Sequence, residues 1–127
     1  MPDGILIIDK PADWTSMDVC AKVRGILHER HVGHAGTLDP MATGVLPVFV
    51  GRATRAVEFA ERDRKEYVAG LRLGLSTDTQ DITGTPLAER PVSVLRAQME
   101  EILPRFTGSL LQLPPMTVWP LTRCMTV

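Results

Sequence analysis

A single carboxylate lies in a stretch dominated by small residues, HVGHAGTLDPMATGVLP, which covers residues 31–47. Glycine, alanine and threonine let backbone N–H groups approach a ligand closely, which suits a phosphate or a sugar. The carboxylate belongs to Asp39. The following Pro40 biases it to extended backbone angles and gives it a fixed direction, as a nucleophile or general base requires. An aspartate that accepts hydrogen bonds from its own loop amides would have the same local sequence, so local chemistry leaves both roles open.

Other catalytic chemistries are less well supported by the sequence. His31, His34 and Asp39 have the side chains that suit zinc or iron, but their spacing matches no standard ligand pattern. The motifs G-x-S-x-G, G-x-G-x-x-G and G-x-x-x-x-G-K-[ST] are absent from the sequence. Their absence argues against a serine hydrolase and against the common nucleotide-binding loops. Cys20 lies within a helical pattern, which does not favour a cysteine nucleophile.

Composition indicates an ordinary globular domain. The 127 residues carry a formal net charge of -1, so nucleic-acid binding would depend on a local basic patch. Basic residues do cluster in sequence around the glycine-containing stretch: Arg24, Arg30, His31, His34, Arg52, Arg55, Arg62, Arg64 and Lys65. The later members alternate with acidic residues, and a solvated helix face would give the same pattern.

The two cysteines, Cys20 and Cys124, define neither a disulfide framework nor a CxxC metal site, and they favour a reducing compartment. No apolar run approaches the roughly 20 residues that a membrane-spanning helix needs. We therefore expect a cytoplasmic protein with no membrane association.

The N-terminal half contains the elements that must position Asp39. The apolar run Gly4–Lys10 predicts a buried strand, and helical spacing predicts a helix from Met17 to Arg30, capped by Thr15 or Ser16. In the loop that follows, apolar residues recur with neither the period of a strand (2) nor that of a helix (3.6). A second strand is predicted from Val45 to Val50.

The rest of the chain alternates between helical and extended patterns. We predict a helix over residues 52–64, a strand over 65–75 that carries Tyr67, a turn-rich segment, and a helix over 92–103. Helices and strands intermix, which indicates an α+β fold with a mixed sheet and flanking helices. Pro114-Pro115 is the only late boundary that the sequence suggests.

Four segments resemble one family in the same order: IIDKPADWTS, GHAGTLDPMATGVLPVFVGRATR, KEYVAGLRLGLSTDTQDITG and FTGSLLQLPPM. They are similar to the TruB family of pseudouridine synthases, which isomerise uridine 55 in the T loop of tRNA. The agreement runs from about Gly4 to Met116. It implies a pseudouridine-synthase-like catalytic domain and a tRNA T-arm loop as the partner, with no obligate protein partner.

The resemblance also implies roles for particular residues. Asp39 matches the catalytic aspartate, and Tyr67 matches the active-site tyrosine that packs on the target base. His34, Gly36 and Thr37 lie in the motif that holds the flipped-out RNA loop.

Two further segments correspond to supporting motifs of the family. Lys10 and Pro11 resemble the KP motif that shapes the active site, and Asp81 falls in the TDTxD segment beside the substrate. Isomerisation involves no redox change and no hydrolysis, so the resemblance implies neither a cofactor nor a metal.

Beyond Met116 the chain departs from the family pattern. We expect residues 1–116 to be the N-terminal part of a truncated catalytic domain, and residues 117–127 to be a divergent tail, as a shifted reading frame would produce. The arginine that pairs with the catalytic aspartate in the family lies beyond this point, so we expect weak or no turnover, exposed strand edges and self-association. A non-catalytic RNA-binding fragment and a relative acting on ribosomal RNA are the alternatives.

Overall fold

The computed structural model describes residues 2–112 and 123–126. The chain divides into two compact units, Met1–Val68 and Ala69–Val127, which are called the first and second unit below. Pro114, Pro115 and most of the tail expected to diverge lie outside the described residues. The intermixed helices and strands confirm the α+β class. No helix among the described residues is long and apolar enough to cross a membrane.

The first unit is built on a three-stranded antiparallel sheet in the order β1-β3-β2. Its strands are β1 (Gly4–Lys10), β2 (Val32–His34) and β3 (Gly44–Val50). The predicted strands of this half are confirmed, whereas β2 was missed because three residues give no readable period. The register places Lys10 opposite Gly44 and His34 opposite Val48, so both side chains lie on the face that carries the core.

Helix α1 (Ser16–Leu27) covers that face of the sheet. Its N-cap is Thr15, whose Oγ1 accepts from the Asp18 amide at 3.0 Å while Asp18 accepts from the Thr15 amide at 2.8 Å. The prediction that α1 continues to Arg30 was wrong. His28 takes the left-handed conformation (φ 52°) that ends the helix, and without a glycine the sequence carries no signal for that ending.

The core of the first unit lies between α1 and the sheet. Seven buried side chains form it: Val19, Cys20, Val23, Val32, Leu46, Val48 and Val50. Burial raises the pKa of the Cys20 thiol, so this group is protonated at neutral pH, as expected for a core residue.

The opposite face of the sheet is only partly covered. Ile5, Ile7 and Val45 are 54%, 66% and 70% exposed, so the prediction that β1 is a buried strand was wrong for this face. An antiparallel sheet can be covered on one side only, and an apolar run in an edge strand does not reveal which side.

The segment after β3 forms less helix than its pattern predicts. A 3-10 helix, Gly51–Ala56, leads into α2, Val57–Ala60, and the chain turns at residues 61–63 instead of remaining helical to residue 64. Helical propensity is weak without a buried face, and Phe59 is 65% exposed.

The strand predicted over residues 65–75 is also wrong for most of its length. Residues 65–72 pair with no strand among the described residues, and pairing begins only at Leu75. Alternation favours an extended backbone, but a strand needs a neighbouring strand to supply its hydrogen bonds. Tyr67 therefore lies in a segment without regular secondary structure, and it is 62% exposed.

The second unit holds two antiparallel pairs, β4 with β5 and β6 with β7. The strands are β4 (Leu75–Thr77), β5 (Pro86–Glu89), β6 (Ser109–Gln112) and β7 (Arg123–Thr126). Between them, α3 (Arg96–Ile102) runs into a 3-10 helix, Leu103–Phe106. The predicted start of this helix at residue 92 was wrong, because the helix follows Leu95, whose amide donates to Gln98 at 2.9 Å.

Candidate active site

The loop between β2 and β3 carries Asp39 at a turn. The Ala35 amide donates to the Pro47 carbonyl at 3.0 Å, which keeps the start of the loop against β3. The Ala42 amide then donates to the Asp39 carbonyl at 3.0 Å and closes a four-residue turn. Asp39 thus occupies the first position of a hydrogen-bonded turn, with its side chain exposed.

Lys10 joins this turn to the segment that precedes α1. Its side chain is fully buried, and Nζ donates to the carbonyls of Trp14 at 2.6 Å, Pro11 at 3.0 Å and Pro40 at 3.2 Å. Three acceptors match the three hydrogens of an ammonium group, which is what makes its burial tolerable. The Asp13 amide adds a 2.7 Å bond to the Pro40 carbonyl.

Ser16 holds the residue on the other side of Asp39. Its hydroxyl accepts from the Leu38 amide at 3.0 Å and donates to the Leu38 carbonyl at 3.3 Å. Because Thr15 is the N-cap of α1, the Ser16 hydroxyl is available for this contact. Ser16 was not among the site residues predicted from the sequence. Its one signal was the Thr-Ser pair at the helix start, where only one hydroxyl can be the cap.

A cavity of about 380 Å³ opens beside these contacts. Its lining consists of Thr15, Ser16, Met17, His34, Thr37, Leu38, Asp39 and Pro40. Three predicted site residues, His34, Thr37 and Asp39, therefore share one cavity. A loop rich in small residues and the N-terminal turn of α1 form its walls.

The polar atoms of this cavity are not all occupied within the protein. The described hydrogen bonds of the loop engage backbone atoms of Leu38, Asp39 and Pro40, and none involves the Asp39 carboxylate. His34 Nδ1 is buried and has no hydrogen-bond partner among residues 2–112 and 123–126. The Asp39 carboxylate therefore does not form the turn by bonding loop amides, and it is open to solvent and to a ligand.

The Lys65 side chain, from the segment that contains Tyr67, approaches the loop at Gly36. Its φ is +76°, and a Cβ at this position would lie 2.9 Å from Cε of Lys65. The Lys65 ammonium donates to the Glu61 carbonyl at 2.9 Å. The positive φ favours glycine here, whereas the flexible end of Lys65 could move away from a Cβ. Tyr67 follows two residues later, and it is not part of the lining of the Asp39 cavity.

Asp81 lies in the second unit, in the connection between β4 and β5. Its Oδ1 accepts from the Thr83 hydroxyl at 2.6 Å, the Thr83 amide at 2.8 Å and the Thr79 hydroxyl at 2.9 Å. The Thr83 and Thr79 hydrogen bonds hold the pKa of this carboxyl below its ordinary value. These bonds give Asp81 a role in shaping its own turn.

Several of the basic residues have partners inside the protein. Arg24 donates to the Val32 carbonyl at 2.7 Å, and Arg52 forms a 2.7 Å ion pair with Asp3. His31 contacts the buried Glu29, whose carboxylate accepts from the His31 amide at 2.9 Å and from Nδ1 at 3.1 Å. These partners reduce the number of basic side chains that are available for a phosphate-binding face. No group of three or more His, Cys, Asp or Glu side chains in the described part of the chain is arranged to hold a metal ion.

Comparison with known proteins gives the class of this site. The family model described as "TruB family pseudouridylate synthase (N terminal domain)" matches residues 24–118, which include the Asp39 loop. The chain therefore belongs to the TruB family of pseudouridylate synthases.

Curated relatives carry a more particular name. Three proteins named tRNA pseudouridine synthase B are similar to this chain. The one from Synechococcus elongatus is 51% identical over 114 residues, covering 89% of this chain and 38% of the relative. The Geotalea uraniireducens protein is 50% identical over 115 residues, 90% of this chain and 37% of the relative. The Thermobifida fusca protein is 50% identical over 116 residues, 91% of this chain and 40% of the relative. The chain thus spans about two fifths of the length of these relatives.

Solved structures share the fold. A chain of a Cbf5-Nop10-Gar1 complex superposes with a TM-score of 0.65 at 26% identity, covering 96% of this chain and 32% of that chain. A chain of an H/ACA RNP bound to a substrate RNA containing 2'-deoxyuridine gives a TM-score of 0.58 at 28% identity, covering 87% and 30%.

Proposed function

We propose that this chain is the Asp39-bearing part of a tRNA pseudouridine synthase that converts uridine 55 of the T loop to pseudouridine in the cytoplasm. The observation that carries the proposal is the cavity that Asp39 shares with His34 and Thr37. Membership of the TruB family and the name tRNA pseudouridine synthase B of the relatives support the reaction class. Uridine 55 is the target that the resemblance implies.

The reaction requires a group that can act on the sugar without releasing the base. The N1–C1′ bond of uridine breaks, the uracil turns, and a C5–C1′ bond forms while C5 loses a proton and N1 gains one. Asp39 either attacks C1′ or removes a proton from the sugar to give a glycal-type intermediate. The Asp39 carboxylate is exposed, and hydrogen bonds hold the backbone on both sides of it. A carboxylate on such a backbone approaches the sugar from a fixed direction, which suits either route.

Three other residues complete the proposed site. Tyr67 supplies a flat apolar face for uracil and a hydroxyl that helps remove the C5 proton, directly or through water. His34 lines the Asp39 cavity and supplies a contact for the flipped-out nucleotide, whose binding must offset a few kcal/mol of lost stacking. Gly36 permits the close approach of Lys65, two residues before Tyr67, to the Asp39 loop.

The proposal includes impaired turnover by the 127-residue chain. The resemblance implies an arginine partner for Asp39 in the part of the family sequence that follows Met116. Among the described residues no cationic side chain hydrogen-bonds the Asp39 carboxylate, and such a partner would orient it and favour its charged form.

An assay of two proteins on one RNA tests the proposal. The first is the chain itself. The second, the extended form, joins residues 1–116 to the downstream part of the Thermobifida fusca relative. Each is incubated with a T-arm stem-loop, and pseudouridine is mapped chemically. We expect conversion of uridine 55 by the extended form and slow or undetectable conversion by the chain. If the extended form leaves uridine 55 unchanged, the proposal is wrong.

A second candidate is isomerisation of a ribosomal RNA uridine within a guide-RNA assembly. It is favoured by the similarity to chains from a Cbf5-Nop10-Gar1 complex and an H/ACA RNP. Conversion of the free T-arm stem-loop without any added protein or guide RNA would reject it. T-arm binding in a gel-shift experiment with no isomerisation by either protein would instead favour a non-catalytic RNA-binding fragment.

A further inference from the structure

The residues on both sides of Asp39 are held by groups distant in sequence. Pro40 is bound by Lys10 Nζ and by the Asp13 amide. Leu38 is bound by the Ser16 hydroxyl, 22 residues earlier in the chain. The two attachments fix the peptide units that flank Asp39, which itself lines the cavity and has an exposed side chain.

Ser16 forms a buried contact with Leu38. Its side chain is 2% exposed, and its hydroxyl uses both donor and acceptor capacity on the backbone of one residue. The side chain of Leu38 packs against the core, so this residue is held through both its backbone and its side chain. Ser16 is in the first turn of α1, so this contact links the helix to Leu38 and, through Leu38, to Asp39.

We propose that Ser16 is a positioning residue for Asp39: its hydroxyl fixes Leu38 and so directs the adjacent carboxylate into the cavity. This inference rests on the proposed function. Loss of the hydroxyl frees the Leu38 amide and carbonyl, and on that side of Asp39 only the packing of the Leu38 side chain against the core then holds the backbone. A displacement of about 1 Å at a reacting group lowers the rate by about 100-fold, whereas contacts that bind RNA elsewhere on the chain are unaffected.

The test compares four forms of the full 127-residue chain: unchanged, Ser16→Ala, Ser16→Thr and Thr54→Ala. Ser16→Thr retains the hydroxyl at a residue that lines the cavity. Thr54→Ala is the matched control, because Thr54 also donates a half-buried hydroxyl to a backbone carbonyl, that of Gly51 at 2.8 Å. Single-turnover conversion of the T-arm stem-loop is measured over a range of protein concentrations, which separates the maximal rate from the half-saturating concentration.

We expect Ser16→Ala to lower the maximal rate by about 10- to 100-fold with an unchanged half-saturating concentration. Ser16→Thr should recover most of the rate, and Thr54→Ala should match the unchanged chain. A maximal rate for Ser16→Ala within twofold of the unchanged chain would overturn the inference, as would an equal loss in Thr54→Ala.

NMR spectra of the same proteins separate failure of this inference from failure of the proposed function. If the unchanged chain forms no pseudouridine, the inference is decided by the Asp39 carboxyl-carbon shift and the exchange rate of the Leu38 amide. If both quantities change in Ser16→Ala and return in Ser16→Thr to their values in the unchanged chain, Ser16 positions Asp39. Unchanged Asp39 and Leu38 signals in Ser16→Ala contradict it.

Discussion

The Lys10 ammonium and the Pro40 carbonyl are joined by a 3.2 Å hydrogen bond across 30 residues of sequence. Lys10 also donates to Pro11 and Trp14, so one buried side chain joins the end of β1, the approach to α1 and the turn that carries Asp39. The family resemblance implied a supporting role for Lys10, and this geometry gives a physical reason for it.

Replacing Lys10 with methionine tests that role. Lys10→Met retains most of the apolar volume but leaves the Pro11 and Trp14 carbonyls without this donor and the Pro40 carbonyl with the Asp13 amide alone, so the free energy of unfolding should fall by about 2–3 kcal/mol. Lys22→Met, at an exposed position of α1, is the control and should change it by less than about 0.5 kcal/mol. Urea denaturation followed by circular dichroism measures both. Equal stability of the two variants would contradict the arrangement around Lys10.

Gly36 is predicted to resist substitution for two separate reasons. Gly36→Ala places a Cβ at a positive φ and against Lys65, and should cost about 1–2 kcal/mol. Gly25→Ala is a matched control in the last turn of α1, where an added Cβ meets no atom within 4 Å, and it should stabilise by up to about 1 kcal/mol. Adding Lys65→Ala to Gly36→Ala should recover only the part of the cost that comes from the close contact. Full recovery would show that the backbone angle is not strained.

Glu29 should make stability depend on pH in the acid range. Hydrogen bonds from His31, chiefly from its amide, hold the Glu29 pKa below the ordinary value of 4.5. A carboxyl whose pKa is lowered on folding stabilises the protein above the unfolded pKa, and this contribution is lost as pH falls through the folded pKa. Urea midpoints measured downward from pH 6 should therefore fall less steeply below pH 4.5 in Glu29→Gln than in the unchanged chain. Glu58→Gln, at an exposed position of α2, should retain the full dependence. Identical acid profiles for unchanged protein and Glu29→Gln would refute this role.

Local chemistry singled out Asp39 and left its role open, whereas the family resemblance implied roles for His34 and Thr37. All three come from one contiguous motif, and they line one cavity in the structure. The loop, β1 and β3 followed from glycine content and apolar runs. The start of α1 followed from its capping residues.

The parts that were missed depend on contacts between distant residues. The burial of Lys10 and the bond from Ser16 to Leu38 join segments more than 20 residues apart, and no local pattern encodes them. Tyr67 was placed on a strand because its neighbours alternate, yet that segment pairs with no strand in the described part of the chain. Asp81 was identified from a motif, while its three hydrogen bonds to Thr79 and Thr83 became visible only in the folded turn.

The most direct test of the account is the rate at which the extended form isomerises uridine 55 with and without the Asp39 carboxylate. Asp39→Asn should lower the single-turnover rate by on the order of 10,000-fold, while Asp63→Asn, at an exposed position after α2, should leave it unchanged. A rate for Asp39→Asn within tenfold of the unsubstituted extended form would contradict the assignment of Asp39 as the catalytic residue.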